Sequence, residues 1–286
     1  MDETLFVGDS NTARMYRIFN YCSYDNAIGS VGMSGKSLAT YACVQFQGYS
    51  GYKTMPEAVA LMQPRRVILT FGTNDLSSSY SASSFASDYA KGIKAVQDAY
   101  PSVDIIVNAI PPLGQQHSNQ NLTQTQVDEY NKALVQMCQD NGWKFLNSAE
   151  VLKDSSTGYA KSGYVLSSDG IHLTEQAMDA LFTYIRTHSY ITEDTRPALT
   201  AVPTHTGDKD VSVVSNIVSS TTAAIAPETT EAPDEDASDS SSSNGPDWAD
   251  GTSGGYATAT PEYTYWSEII APTCTEQGYT YYHCNE

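Results

Sequence analysis

Short apolar runs alternate with amphipathic segments through the first two thirds of the chain. The apolar runs have the length and β-branched or aromatic content of buried strands, at residues 4–7, 66–71, 103–107 and 143–146. Apolar positions at helical spacing lie between them, at residues 12–21, 56–62, 84–100, 123–141 and 174–188. This alternation predicts an α/β fold with a parallel sheet covered by helices on both faces, because each crossover returns the chain to the same strand direction.

Polar clusters follow two of these strands and precede the last helix, at residues 8–11, 72–75 and 169–172. A doubly wound sheet gathers such residues at the carboxyl ends of its strands, where it binds ligands. Ser10 would lie at a helix N-terminus, where N–H groups and the helix dipole favour a developing oxyanion. The Asn74 amide is a neutral donor for the same charge. Taken alone, both residues could equally be helix caps or turn residues.

Asp169 and His172 in the third cluster have the spacing of an orienting pair. A carboxylate three residues before a histidine can hold one ring nitrogen while the other nitrogen faces a nucleophile. By itself the pair is also common in solvated turns, and it approaches the first strand only if the sheet folds as predicted.

Four sequence blocks carry a family resemblance in which these clusters take part. They are Phe-Val-Gly-Asp-Ser at 6–10, Ser-Gly at 34–35, Gly-Thr-Asn-Asp at 72–75 and Asp-Gly-Ile-His at 169–172. In this order they resemble the blocks of the SGNH (GDSL-type) hydrolase family, over roughly residues 3–188. The resemblance implies a three-layer α/β/α fold with a five-stranded parallel sheet of flavodoxin-like order.

The resemblance also implies roles for individual residues. Ser10 would be the nucleophile, His172 the base and Asp169 its orienting partner. The N–H groups of Ser10 and Gly35 and the side-chain amide of Asn74 would form the oxyanion hole. The implied activity is hydrolysis of acyl esters, with no cofactor and no metal. We expect a short-chain, carbohydrate O-acetyl esterase; a lysophospholipase, a general short-chain esterase and a noncatalytic binding module of the same fold stay open.

Two departures and one rival motif qualify this interpretation. Asn11 replaces the usual Leu or Ile after the nucleophile, which alters packing but removes no catalytic group. The second block could be centred on Gly32 instead of Gly35. Residues 35–37, Gly-Lys-Ser, look like the end of a phosphate-binding loop, but Ser30 stands where that motif needs glycine. The absence of a Gly-x-Ser-x-Gly elbow argues against an α/β-hydrolase.

Composition divides the chain of 286 residues into three parts. Residues 1–196 are the predicted catalytic domain. Residues 197–260, rich in Ser, Thr, Pro and acids, are a predicted disordered linker, within which 211–218 could be an extra strand. Residues 197–286 hold 14 of the 33 acidic side chains and one of the 15 basic ones, and the chain's net charge is −18. This charge excludes nucleic acid and anionic membranes as partners.

Residues 261–286 form a small aromatic segment with two β-like runs. Cys274 and Cys284 could pair as a disulfide or supply half of a metal site completed further along a longer chain. No apolar run approaches the roughly 20 residues that span a bilayer, so we expect no membrane insertion. A tether and a small module suggest an extracellular or cell-surface bacterial protein, attached through its C-terminal region, whose leader peptide is not in this sequence. We expect the residues after about Pro197 to be dispensable for activity.

Overall fold

The computed structural model of the protein describes residues 3–188, 190 and 193–211, and the backbone of 265–270 and 279–284. The chain divides into two units, Met1–Glu228 and Thr229–Glu286. The strands are β1 Thr4–Gly8, β2 Ala27–Gly29, β3 Ala42–Phe46, β4 Lys53–Thr54, β5 Arg66–Thr70, β6 Asp104–Asn108, β7 Lys144–Leu146, β8 His205–Asp208, β9 Tyr265–Ile270 and β10 Tyr279–Cys284. The helices are α1 Ser10–Arg17, α2 Met55–Met62, α3 Ala82–Ala99, α4 Gln124–Asn141, α5 Ala149–Leu152 and α6 Glu175–His188.

The first unit is built on a parallel five-stranded sheet with the order β2-β1-β5-β6-β7. Strand β1 pairs with β2 on one side and β5 on the other, and β6 and β7 continue the sheet. The predicted fold class and the flavodoxin-like order are therefore confirmed. The apolar pattern identified four of these strands but not β2, whose sequence Ala-Ile-Gly contains only one large apolar side chain.

Two hydrophobic cores lie on opposite faces of this sheet. One face packs against α2, α3 and α4, and the other against α1, α5 and α6. Alternation along each strand divides the side chains: Leu5 and Val7 of β1 point into the first core, and Phe6 points into the second. Buried residues on both faces explain why these strands read as continuous apolar runs.

Local signals fix the helix ends near the predicted positions. A capping box begins α4, with Gln126 N–H donating to the Thr123 hydroxyl and the Gln126 side chain accepting from Thr123 N–H. The helix ends at Gly142, in the left-handed region at φ +69°. The first helix differs most from its prediction: it spans 10–17 instead of 12–21, because Asp9 caps it directly after the strand.

A second, antiparallel sheet of order β4-β3-β8 was not predicted. Strand β8 pairs with β3, and Gln47 N–H also donates to the carbonyl of Thr204. The segment 205–211 lies within the range 197–260 predicted as linker, yet it packs on the first domain. Its buried side chains include polar His205 and Asp208, which hide its strand character from an apolar pattern. From 212 to 260 the predicted linker, including most of 211–218, lies outside the described residues.

Strands β9 and β10 pair antiparallel in the second unit, with Tyr279 opposite Ile270 and Cys284 opposite Tyr265. The two β-like runs predicted near the C-terminus therefore form strands. Cys274 lies outside the described residues, so neither the disulfide nor the metal interpretation is decided. No helix in the described parts of the chain is long and apolar enough to cross a membrane.

Candidate active site

Ser10, His172 and Asp169 are linked by two consecutive hydrogen bonds beyond the carboxyl ends of β1 and β5. The His172 Nε2 atom lies 3.0 Å from Ser10 Oγ, and His172 Nδ1 lies 2.8 Å from Asp169 Oδ2. Asp169 is acceptor-only when ionised, so Nδ1 carries the proton and Nε2 faces the serine hydroxyl with its lone pair. This is the arrangement in which a histidine can take the proton of a serine that attacks a carbonyl carbon.

Ser10 is the first residue of α1, where backbone N–H groups have no acceptor inside the helix. Asp9 caps the helix by accepting from Asn11 N–H at 2.9 Å. The turn needs glycine at position 8, since a Cβ there would lie 2.1 Å from Thr12 Oγ1 and 2.6 Å from the Thr70 carbonyl. The close turn places Ser10 at the helix N-terminus, with only 8% of its surface exposed.

The loop before α6 fixes His172 through Asp169. One Asp169 oxygen, Oδ1, accepts from the N–H groups of Ile171 at 2.7 Å and His172 at 2.9 Å. Gly170, which lies between Asp169 and Ile171, has φ +66°, and a Cβ there would lie 2.1 Å from the Gln116 carbonyl. Burial alone would raise the pKa of Asp169, but the hydrogen bonds from His172 and Ile171 outweigh it and hold this pKa below its ordinary value. The carboxylate therefore stays charged beside the ring.

Asn74 lies on the exposed turn after β5, and its amide contacts Asp9 of the first block and Met33, which directly precedes the second block. Its Nδ2 atom donates to the Met33 carbonyl at 3.0 Å and lies 3.4 Å from Asp9 Oδ2. The structure thus joins the block that contains Asn74 to the nucleophile block. Both N–H groups of this amide thus have partners in this structure, and the bond to Asp9, at 3.4 Å, is the longer one that an oxyanion would replace.

Gly35, the other predicted oxyanion donor, already has a partner. Its N–H donates to Asp75 Oδ2 at 2.7 Å, and Lys36 N–H lies 3.4 Å from Asp75 Oδ1. The N–H is thus not free in this structure. No role for Asp75 is predicted from the sequence, since its partner lies 40 positions away and no local pattern links the two. The one sequence feature that pointed to a role for Asp75 is its position directly after Asn74, the candidate oxyanion donor.

His117, on the loop between β6 and α4, has both of its ring nitrogens directed at carbonyls of that loop. Its ring nitrogens lie 3.0 Å from the Gly114 carbonyl and 2.8 Å from the Leu122 carbonyl. The same loop is joined to the loop that contains Asp169 by Gly114 N–H, which donates to the Gly170 carbonyl at 2.7 Å. His117 therefore shapes the loop that supports Asp169. Among the described residues, no group of three or more His, Cys, Asp or Glu is placed to hold a metal ion.

Asp9 is a buried acid next to Ser10. Its residue is 1% exposed, and burial raises the pKa of its carboxyl to about 6, against the effect of its bond from Asn11 N–H. Burial likewise raises the pKa of Asp75. The site thus contains three acids with different environments, of which Asp169 is the one held in its charged form by hydrogen bonds.

Asp9→Asn should change how stability depends on pH. The native pKa of about 6 exceeds the ordinary value of 3.8, so between these values the folded protein retains a proton that the unfolded chain has lost. The Asp9 contribution to stability therefore falls as pH rises from about 4 to 6, by on the order of 3 kcal/mol, and the variant lacks this loss. Urea unfolding of both proteins between about pH 4 and 7 measures it. A difference in unfolding free energy between wild type and Asp9→Asn that stays constant over this range would contradict the raised pKa of Asp9.

Comparisons with known proteins bear on the family and the fold of the chain. A family model described as the GDSL-like Lipase/Acylhydrolase family matches residues 6–180. A structure from Streptococcus pneumonia, of a protein named after platelet activating factor, is 19% identical with a TM-score of 0.50, covering 66% of this chain and 84% of that chain. A GDSL-like lipase from Bacteroides thetaiotaomicron is 16% identical with a TM-score of 0.50, covering 65% and 86% respectively. No curated protein matches the sequence. At these identities the two structures support the fold alone.

Proposed function

Since the chain belongs to the GDSL-like lipase/acylhydrolase family, we propose that it is a serine esterase working through Ser10, His172 and Asp169. The observation that carries the proposal is the hydrogen-bonded line from Asp169 through His172 to Ser10. Ser10 Oγ attacks the ester carbonyl carbon while His172 Nε2 takes its proton. The imidazolium then protonates the leaving alcohol as its bond to the carbonyl carbon breaks. Water attacks the acyl-serine by the same route and releases the acid.

The tetrahedral oxyanion needs donors that point at it before the reaction starts. In the proposed mechanism the Ser10 N–H at the start of α1 supplies one of them, and the Asn74 amide supplies another by exchanging its long bond to Asp9 for one to the oxyanion. Gly35 N–H can join only by sharing or leaving its bond to Asp75. The Asp75 contact holds the turn Gly35–Ser37 in place beside the site.

A hydroxyl-lined cavity supports a carbohydrate ester as substrate. The cavity has a volume of about 220 Å³, and the first of its lining residues, Ser77, follows Asp75 by two positions. It is lined by Ser77, Ser78, Tyr80, Ser81, Ala82, Gln126, Glu129 and Tyr130. Tyr130 donates to the Asp75 carbonyl at 3.3 Å, so the cavity adjoins the catalytic turn. Hydroxyl and amide groups match the hydroxyls of a sugar, while Glu129 and the net charge of −18 disfavour a phosphate headgroup. We therefore propose a carbohydrate O-acetyl esterase.

Acyl chain length is the test of this substrate class. We expect kcat/KM for p-nitrophenyl acetate to exceed that for the octanoate by at least about tenfold, because a site shaped for acetyl rejects added methylenes. We also expect release of acetate from acetylated xylan. Measuring both with the same enzyme preparation decides between the alternatives. A preference for long-chain or lysophospholipid esters would replace the carbohydrate proposal with a lipolytic one.

A further inference from the structure

Helix α1 holds the backbone of Leu173, the residue that follows the proposed base His172. The Leu173 N–H donates to Asn11 Oδ1 at 2.9 Å. The Leu173 carbonyl accepts from Arg14 Nε at 3.2 Å and Arg14 Nη2 at 3.1 Å. Asn11 and Arg14 are three residues apart in the helix and so lie on one face. We call this set of three bonds the Leu173 clamp.

The clamp is buried, which makes its bonds costly to lose. Asn11 is 2% exposed, and Arg14 and Leu173 are each 1% exposed. Burial lowers the pKa of Arg14, and the nearby Asp169 carboxylate opposes this shift. The guanidinium also lies 5.0 Å from the centre of the Phe19 ring. A charged side chain kept in the interior, with two of its donors directed at one carbonyl, indicates that this carbonyl must be held in a fixed position.

The other bonds on the His172 backbone come from its own loop. Asp169 accepts from His172 N–H, and Leu166 N–H donates to the His172 carbonyl at 2.8 Å. Those bonds set the shape of the loop but do not tie it to the nucleophile. The clamp does, because its side chains belong to the helix whose first residue is Ser10.

We propose that Asn11 and Arg14 are positioning residues, which hold His172 at hydrogen-bonding distance from Ser10 through the backbone N–H and carbonyl of Leu173. The proposal rests on the proposed esterase function. It gives Asn11 a role that an apolar residue at the same position would lack, since Leu or Ile has no acceptor for Leu173 N–H. Hydrogen bonds to both the N–H and the carbonyl of Leu173 hold the two peptide groups that flank its Cα, the first of which is shared with His172. A shift of the base by about 1 Å can cost on the order of 100-fold in rate.

Four variants of the full chain test the clamp. Asn11→Leu removes the acceptor at similar size, Arg14→Met removes both donors, and Arg14→Lys keeps a charge and one flexible donor. Arg17→Met is the matched control, since Arg17 lies on the same helix but is exposed. We expect kcat for aryl acetate hydrolysis to fall roughly 10- to 100-fold in Asn11→Leu and Arg14→Met, with KM within about threefold of wild type. Arg14→Lys should recover part of kcat, and the control should match wild type.

Thermal melts of each variant separate misplacement of the base from unfolding. If Arg14→Met does not fold, Asn11→Leu and Arg14→Lys carry the test. Folded clamp variants with kcat within about twofold of wild type would overturn the clamp, and so would a loss confined to KM. A wild-type rate no higher than that of Ser10→Ala would instead overturn the proposed function, and the clamp with it. The two failures are thus distinguished by the wild-type measurement.

Discussion

Ser10→Ala should lower kcat for short-chain aryl esters by at least about 10³-fold, with little change in the thermal melt. The Ser10 hydroxyl bonds to His172 Nε2, and no other side-chain bond to it is seen in the described part of the chain. Its removal therefore takes away the nucleophile but leaves the capped helix, the Asp169 pair and both cores in place. Initial rates of p-nitrophenyl acetate hydrolysis, corrected for the uncatalysed reaction, measure the effect.

His172→Ala should cost a similar factor, and the double variant should be hardly slower than either single one. Residues that act as one unit lose most of their effect with the first substitution. Ser83→Ala, an exposed serine in the first turn of α3, is the matched control and should match wild type. Equal rates in wild type and Ser10→Ala would refute the assignment of Ser10 as the nucleophile. No hydrolysis of any acyl substrate by wild type would favour a binding module that keeps the fold without the activity.

The meeting of Ser10 and His172 could be predicted because it follows from topology. Their positions are 162 residues apart, yet a parallel sheet places the ends of its strands at one edge. The pattern of apolar runs predicts four of its strands, and the family resemblance supplies the fifth strand and the order. The Asp169–His172 contact needed only local spacing, three residues within one loop.

Contacts made by side chains with distant backbone groups could not be predicted. The bond from Gly35 N–H to Asp75 depends on how two turns pack, and neither turn has a periodic signal that would reveal it. The clamp bonds of Asn11 and Arg14 to Leu173 are of the same kind. Buried polar residues of this sort look like ordinary cap or surface residues in a sequence, so their roles appear only when their partners are known.

Strand β8 escaped prediction because its buried residues are polar. His205 Nε2 lies 2.8 Å from Asp208 Oδ1, and His205 Nδ1 lies 2.8 Å from the Tyr24 carbonyl. Tyr16 donates its hydroxyl to the other Asp208 oxygen, which Gly29 N–H approaches at 3.3 Å. Such a network satisfies the buried groups without any apolar alternation. It joins β8 to α1 and to the sheet edge at β2, so the domain needs residues that composition assigned to the linker.

Ending the chain after Pro197 should therefore destabilise the domain, in contrast to the dispensable tail that composition predicts. The shortened chain loses β8 and Val211, and it uncovers Phe46 and Tyr24, whose rings lie 5.5 and 4.7 Å from the His205 ring. Exposing or losing buried side chains of this size costs about 1.5 to 3 kcal/mol each. A total of roughly 3 kcal/mol or more would lower the melting temperature by about 6 to 12 °C in a domain of this size.

A chain ending after Val211 is the matched control and should melt close to the full-length protein.

The difference in melting temperature between the two shortened chains should also depend on pH. Burial opposes protonation of His205, but its bonds to Asp208 and to the Tyr24 and Gly207 carbonyls outweigh it and raise the pKa of His205. The stability that this histidine contributes is then complete below its unfolded pKa near 6.5 and declines as pH rises through the higher native value. The gap in melting temperature should thus narrow from mildly acidic to alkaline pH. Equal melting temperatures for the two shortened chains would show that β8 adds nothing to the fold.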